Sequence, residues 1–296
     1  MASLRSVVTG RPVVSVAMAT YNGERYLPEM LESLAAQTRA PDELVVRDDA
    51  SEDGTVGILH AFARRVPFRV EVIAGGPRLG YAQNFVAAAS ACRGSVIFFA
   101  DQDDVWRPPK LATVAQHVRR RKPQAVFHDF ALIDERGDRF ADSFYDVLAE
   151  RGIAAAAALK GCSMAVTRSF VDTWGWPPAG SRVSHDFWVA LLATAFGQRR
   201  NLREPLIDHR LHGGNASGWI PDAASREFTA PGDDSGPVRL LIDLVMKPPR
   251  LKTRTRAFLD VLAERGDDVD PVRAKRLRRM LRTNRRRHRA REGAAS

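Results

Sequence analysis

Cysteine is nearly absent: the 296-residue chain holds two, Cys92 and Cys162. Two distant thiols exclude a disulfide framework and a cysteine-built zinc site, and they fit a reducing cytosol. Long apolar runs are missing too, with nothing near the ~20 uninterrupted apolar residues of a membrane span. Met1 to Arg11 have no apolar core, so they do not read as a secretory signal. There is no Walker loop, no G-x-G-x-x-G and no internal repeat. With 45% hydrophobic and 27% charged residues, the chain has enough apolar material for one large α/β domain plus an appendage.

Acid is absent from one stretch. Between Pro271 and Arg291 there are ten Arg and one Lys, without a single Asp or Glu. Subtracting these eleven charges from the net +10 leaves −1 for the rest of the chain. The basic character therefore belongs to the tail, and the nearly neutral body lacks the aromatic platforms of a nucleic-acid binder. The tail reads either as a solvated face or as a patch for an anionic membrane surface.

Strand and helix alternate over the first ~120 residues, as in a parallel sheet covered on both faces. Val13–Ala19, Glu43–Arg47, Arg69–Ile73 and Ser95–Ala100 read as strands. Helical spacing runs over Glu24–Thr38, Thr55–Arg65 and Ala82–Ala91. Further on, Ala125–Phe130 and Ser163–Thr167 read as strands, Ile153–Leu159 as an alanine-rich helix or buried turn, and His185–Phe196 as a buried helix. The expected division is an N-terminal arm (1–12), a catalytic-sized domain (13–219), a linker or mobile loop (220–237) and a helical extension with the basic tail (238–296).

Ligands of such sheets sit beyond the carboxyl ends of the strands, where the polar segments of this chain fall. Thr20-Tyr21-Asn22-Gly23 follows the first strand and reads as an N-capping turn or a nucleotide contact. Asp48-Asp49 and the turn to Thr55 follow the second, suited to a base or ribose hydroxyl, or to capping the next helix. Arg78-Leu79-Gly80 leads into a helix carrying Asn84. Asp101-Gln102-Asp103-Asp104 packs three carboxylates after an apolar strand, a cost that a divalent cation carrying a phosphorylated ligand would offset. His185-Asp186 opens a helix, either complementing its dipole or holding a general base. His212-Gly213-Gly214 forms a flexible turn. The doublets His128-Asp129 and His185-Asp186 also raise the alternative of a metal phosphohydrolase.

Taken in order, V-S-V-x-M-A-T-Y-N, D-D-A-S-x-D-G-T, L-G-Y-A-x-N-F, F-A-D-Q-D-D-V-W, H-D-x-W and H-G-G-N resemble glycosyltransferase family 2 over roughly Val13–Gly218. These are inverting enzymes of the GT-A fold, a Rossmann-like mixed sheet flanked by helices. The bacterial rhamnosyltransferase-like branch is the most similar. The resemblance implies that Thr20, Tyr21, Asn22, Asp49, Gly80, Asn84 and Asp101 line a nucleotide. It further implies that Asp103 holds Mg²⁺ or Mn²⁺, that His212 assists, and that Asp186 is the catalytic base. Gly161, Cys162, His185 and Trp188 would form the donor or acceptor pocket. The implied partners are a nucleotide-diphospho-sugar (dTDP-rhamnose first, UDP- or GDP-sugars otherwise) and a saccharide or lipid-linked acceptor. The implied location is cytoplasmic, peripheral at the inner face of the plasma membrane. Arg47, Ala50 and Gln83 depart from residues usual in the family.

Overall fold

The computed structural model describes residues 12–150, 155, 158–177 and 184–215. The linker or mobile loop expected over 220–237, the helical extension and its basic run lie outside the described residues, as do most of the N-terminal arm and of Ile153–Leu159. Among the described residues no helix is long and apolar enough to cross a membrane.

The first part alternates as expected: β1 (Val14–Thr20), α1 (Leu27–Ala35), β2 (Glu43–Asp48), α2 (Thr55–Ala63), β3 (Arg69–Ile73), α3 (Tyr81–Ala91) and β4 (Val96–Ala100). Then come β5 (Val105–Trp106), α4 (Lys110–Gln116), β6 (Ala125–Ile133), β7 (Arg139–Ala141) and α5 (Phe144–Ala149). A single 3₁₀ turn, Gly161–Ser163, leads into β8 (Met164–Thr167), α6 (Arg168–Trp174), α7 (His185–Ala195) and β9 (Arg199–Arg210).

These strands form one mixed sheet in the order β3-β2-β1-β4-β8-β6-β9-β5, with β7 hung on β6. Strands β3, β2, β1 and β4 are mutually parallel. Beyond β4 the sheet becomes mixed, as the fold implied by the resemblance has it, because β8 joins β4 antiparallel and β6 joins β8 antiparallel. Alternate side chains of each central strand feed two cores. Val14, Val16 and Met18 of β1 pack in one core with Leu27, Met30, Leu31 and Leu34 of α1. Ala17 packs in the other with Phe85, Ala88 and Ala89 of α3 and with Val189 and Leu192 of α7.

Register then fixes where the polar loops emerge. Thr20 is level with Asp48, and Met18 with Ala100, so β1, β2 and β4 end together. The opposite end is closed by buried polar bonds. Ser15 Oγ donates to Glu43 at 2.6 Å and accepts from the Gly94 amide at 2.7 Å. Burial would raise the Glu43 carboxyl, but bonds from Ser15, the Arg93 amide and Arg69 outweigh it and hold the group below its ordinary range.

Strand β9 was not expected. It is long and charged, and it contains Pro205, which sits opposite Asp129 where the β6–β9 register shifts. A bulge is where a sheet tolerates proline. Asp208 on β9 is neutralised by Arg107 at 2.7 Å and Arg139 at 3.0 Å. The strand thus carries its charge to specific partners while returning the chain to the acidic loop after β4.

Gly94 is a packing requirement of this arrangement. A Cβ there would lie 2.8 Å from the Ser15 amide nitrogen and 2.9 Å from the Val13 carbonyl oxygen, both backbone atoms. Gly94→Ala is expected to destabilise the fold by about 1–3 kcal/mol. Thermal unfolding followed by circular dichroism should show a fall in Tm of roughly 2–10 °C.

Candidate active site

The loops after β1, β2 and β4 face the start of α7 across a cavity of about 480 Å³. Its wall includes Thr20, Tyr21, Asp49, Gly80, Asn84, Asp101, Asp103, Gly161, His185 and Asp186, all singled out from the sequence. Asn22, Cys162, Trp188 and His212 are not on this wall, although Gly214 and Asn215 are.

Asn22 belongs to the outer side of its turn. It has φ +44°, it is exposed, and its side-chain oxygen accepts from the Glu52 amide at 2.9 Å. Thr20 donates to Asp48 at 2.8 Å, and Asp48 also takes the Ser51 amide and hydroxyl, so the turn after β2 is tied to the end of β1. Gln102, which sequence reading passed over, accepts from the Tyr21 amide at 2.9 Å and donates to the Tyr21 carbonyl at 3.0 Å. Its carboxamide thereby clips the acidic loop to the loop after β1.

Asp49 and Asn84 share a network organised by Arg47. The buried guanidinium binds Asp49, donates to Asn84 Oδ1 at 2.8 Å and donates to the Pro77 carbonyl at 2.6 Å. Asp49 also accepts from the Leu79 and Gly80 amides, at 2.6 and 2.8 Å. Most of its lone pairs are therefore spent inside the protein. Arg47, a departure from the family pattern, is a structural centre of this wall.

The three acidic residues after β4 have different surroundings. Asp104 is 1% exposed and accepts from His209 Nδ1 at 2.6 Å and from the Arg210 amide at 3.2 Å. Burial would raise it, but His209 outweighs this and holds Asp104 below the ordinary carboxylate range. Asp103 meets His212 Nε2 at 2.8 Å. Asp101 lies on the cavity wall, and burial with the charges of Asp104 and Asp103 pushes it to about 7. A carboxylate raised in this way marks a place where an added positive charge is favourable.

Asp101, Asp104, Cys162 and His209 offer ligand atoms within 4.8 Å of one another. Asp104 and His209 are already paired, and burial pushes the Cys162 thiol well above its usual value, which keeps it protonated and inert. The cavity-facing Asp101 and Asp103 are the better cation donors. Oxygen ligands backed by one imidazole suit Mn²⁺, and Mg²⁺ through the carboxylates alone.

Beneath the acids lies a buried lysine that sequence reading also passed over. Lys110 donates to the Cys162 carbonyl at 2.7 Å and sits 3.5 Å over the Trp106 ring. Burial pulls its ammonium down to about 7. Lys160, 6% exposed, lines the cavity itself.

On the opposite wall, Asp186 sits in the first turn of α7 and accepts from the Phe187 amide at 2.7 Å. That bond fixes the carboxylate's orientation at the helix N-terminus. His185 is stacked near Phe85 and Phe99, with ring centroids 4.5 and 5.0 Å away, and burial lowers it below its ordinary value. Gly161 permits this approach, since a Cβ there would stand 2.7 Å from His185 Nε2. Trp188 donates to the Gly175 carbonyl at 3.1 Å and fills the core. His128 and Asp129 are buried in β6 and do not line the cavity. Asp129 is spent on Ser143 and the Phe130 and Tyr145 amides, so the phosphohydrolase doublets do not come together.

Residues 15–152 match the model of Glycosyl transferase family 2. The chain is 26% identical over 213 residues to an uncharacterised glycosyltransferase of Nostoc, covering 68% of this chain and 66% of that protein. It is 27% identical over 209 residues to a putative teichuronic acid biosynthesis glycosyltransferase of Bacillus subtilis, covering 68% and 80%. The structure of a mannosyltransferase from Pyrobaculum calidifontis, in complex with GDP-Man and Mn²⁺, superposes with a TM-score of 0.56 at 21% identity, covering 91% of this chain and 79% of that one. The chain spans 66% of the Nostoc protein's length and 45% of the mycobacterial ones. The similarity to glycosyltransferase family 2 lies in residues 15–152, and the fold is GT-A.

Lys110 gives this site a pH signature. In the unfolded chain a lysine keeps its proton to about 10.4, whereas here it releases it near 7. The unfolded state then binds more protons between these values, so this group makes stability rise with pH across that window. Chemical denaturation between pH 7 and 10 should show that rise in the parent and a flatter profile in Lys110→Met.

Proposed function

We propose that the chain is an inverting glycosyltransferase that moves a sugar from a nucleotide-diphospho-sugar to a hydroxyl of a saccharide or lipid-linked acceptor. The observation that carries this reading is the placement of Asp101, Asp103 and Asp186 on the wall of one cavity, at the strand ends where such sheets bind ligands. The named relative in teichuronic acid biosynthesis favours a cell-surface polysaccharide as the product. The resemblance to the rhamnosyltransferase-like branch makes dTDP-rhamnose the first donor to test, ahead of UDP- and GDP-sugars. The basic run at 271–291, outside the described residues, would suit attachment to an anionic membrane carrying a lipid-linked acceptor.

The residues divide the work. Asp101 and Asp103, the latter backed by His212, would hold a divalent cation. When bound, such an ion supplies neutralising charge to the diphosphate leaving group. Asp186 accepts the proton of the acceptor hydroxyl as its oxygen bonds to the anomeric carbon and the carbon–oxygen bond to the diphosphate breaks. The products are the glycosylated acceptor, with inverted anomeric configuration, and the nucleoside diphosphate. His185, beside the base, is held in place by packing on the Phe85 and Phe99 rings. General-base assistance of this kind is worth about 10²–10⁴-fold in rate.

Asp186→Asn is expected to lower transfer by at least about 10²-fold while nucleotide-sugar binding in Mn²⁺ stays within about two-fold of the parent. Asp103→Ala should instead weaken that binding, as read by calorimetry with and without Mn²⁺. Parent-like turnover by Asp186→Asn would remove the base from Asp186. Metal-independent affinity in the parent would remove the cation role.

A further inference from the structure

Surface charge is sorted between the two ends of the sheet. Exposed acids gather at the carboxyl ends of the strands: Glu24 follows β1, Glu52 follows β2, and Glu135 and Asp138 lie between β6 and β7. The acidic loop after β4 stands at the same end. The amino ends are basic instead. Arg93, Arg119, Arg121, Lys122 and Arg200 are exposed there, and none of them makes an ion pair among the described residues. Backbone register and hydrogen bonds put them on one face. Arg93 precedes β4, whose Val96 is level with Thr167 at the end of β8. Thr167 Oγ1 donates to the Lys122 carbonyl at 2.9 Å, and the Arg119 amide donates to Gln124 Oε1 at 2.8 Å. Ala125, which opens β6, is level with Arg199, the neighbour of Arg200. The basic face thus crosses β4, β8, β6 and β9, about 14 Å at the usual strand spacing. Helices α3 and α4 end here, and their dipoles account for Arg93 and Arg119. They do not account for Arg121 and Lys122 further along the loop, or for Arg200 on a strand.

We propose that this basic face docks on an anionic lipid bilayer and holds the cavity on the side turned away from it. Head-group phosphates attract each cation near the surface, and the attraction fades within a Debye length. The same surface repels the exposed acids of the opposite end, so the charge asymmetry sets the orientation as well as the binding. The face carries no exposed large apolar side chain. Those of the described residues, Ile73, Leu79 and Tyr81, belong to the segment between β3 and α3. Docking is therefore electrostatic, with nothing inserted into the hydrocarbon and no ring on which a nucleic-acid base would stack. The acid-free basic run at 271–291 adds charge of the same sign to the chain. Strand β1 has seven residues, so the cavity opens about 20 Å or more from the bilayer. The acceptor is then an extended saccharide whose growing end stands clear of its lipid, a consequence that rests on the sugar-transfer reading; the docking itself does not.

The test is sedimentation of the full chain with phosphatidylcholine vesicles, with and without phosphatidylglycerol, in the absence of nucleotide. The parent is expected to bind the anionic vesicles alone and to be released by salt. Arg121→Gln combined with Lys122→Gln should weaken binding at least about ten-fold. Arg25→Gln combined with Arg136→Gln, exposed cations of the acidic end, should change it by less than about two-fold. Hydrogen exchange of the parent on vesicles should protect amides of 118–124 and leave those of 134–138 as they are in solution. Parent-like binding by the Arg121 and Lys122 pair of substitutions would overturn the proposal, as would protection at 134–138 in place of 118–124. Tighter binding to duplex DNA than to anionic vesicles at equal salt would overturn it too, by making the face a nucleic-acid surface. None of these outcomes bears on nucleotide-sugar binding, which calorimetry with Mn²⁺ tests on its own.

Discussion

The tie between Asp104 and strand β9 makes the rest of the site tenable. Three carboxylates within four residues repel one another at the end of a buried strand. Asp104 is taken out of that repulsion by His209 and the Arg210 amide. Arg210 then reaches on to the Asp103 carbonyl at 3.0 Å and to Glu29 at 2.6 Å. With one oxygen of Asp104 held by His209 and the Arg210 amide, Asp101 and Asp103 are left to face the cavity. One charge becomes scaffold so that two can serve a ligand.

The walls are held by the same economy of contacts. Gln102 joins the acidic loop to Tyr21 through two complementary bonds, much as a neighbouring strand would. Arg47 fixes Asp49, Asn84 and the Pro77 segment from one buried position. On the far side, Asp186 needs only the first turn of a helix and a glycine opposite its neighbour. Groups that would contact a ligand are therefore positioned mainly by hydrogen bonds to backbone, and the site is preorganised in the sense that favours transition-state stabilisation.

Much of this could be read from the chain because the chemistry is contiguous. Thr20-Tyr21, Asp48-Asp49, Asp101-Asp103 and His185-Asp186 each follow or open an apolar element, and apolar alternation is the strongest local signal. What stayed hidden depends on tertiary partners. Strand β9 lacks a clean alternation, since its charged residues are matched by Arg107, Arg139 and Asp104 from elsewhere in the sequence. Lys110 looks like a surface lysine until the Cys162 carbonyl and the Trp106 ring are seen around it. The expected ligand role of Asn22 came from its neighbours in the motif, while its own side chain closes a turn. Arg47 stood out as unusual, but its three partners lie 2 to 37 positions away along the chain.

The Asp104–His209 contact joins residues separated by 105 positions. A ribosome emits the acidic loop well before it emits the strand that relieves it. Until that strand docks, a nascent chain carries three crowded carboxylates with no imidazole beside them, and long-range pairings of this kind form slowly. The pocket is accordingly among the last parts of the domain to mature, which gives an unfinished polypeptide no finished cavity in which to hold a ligand.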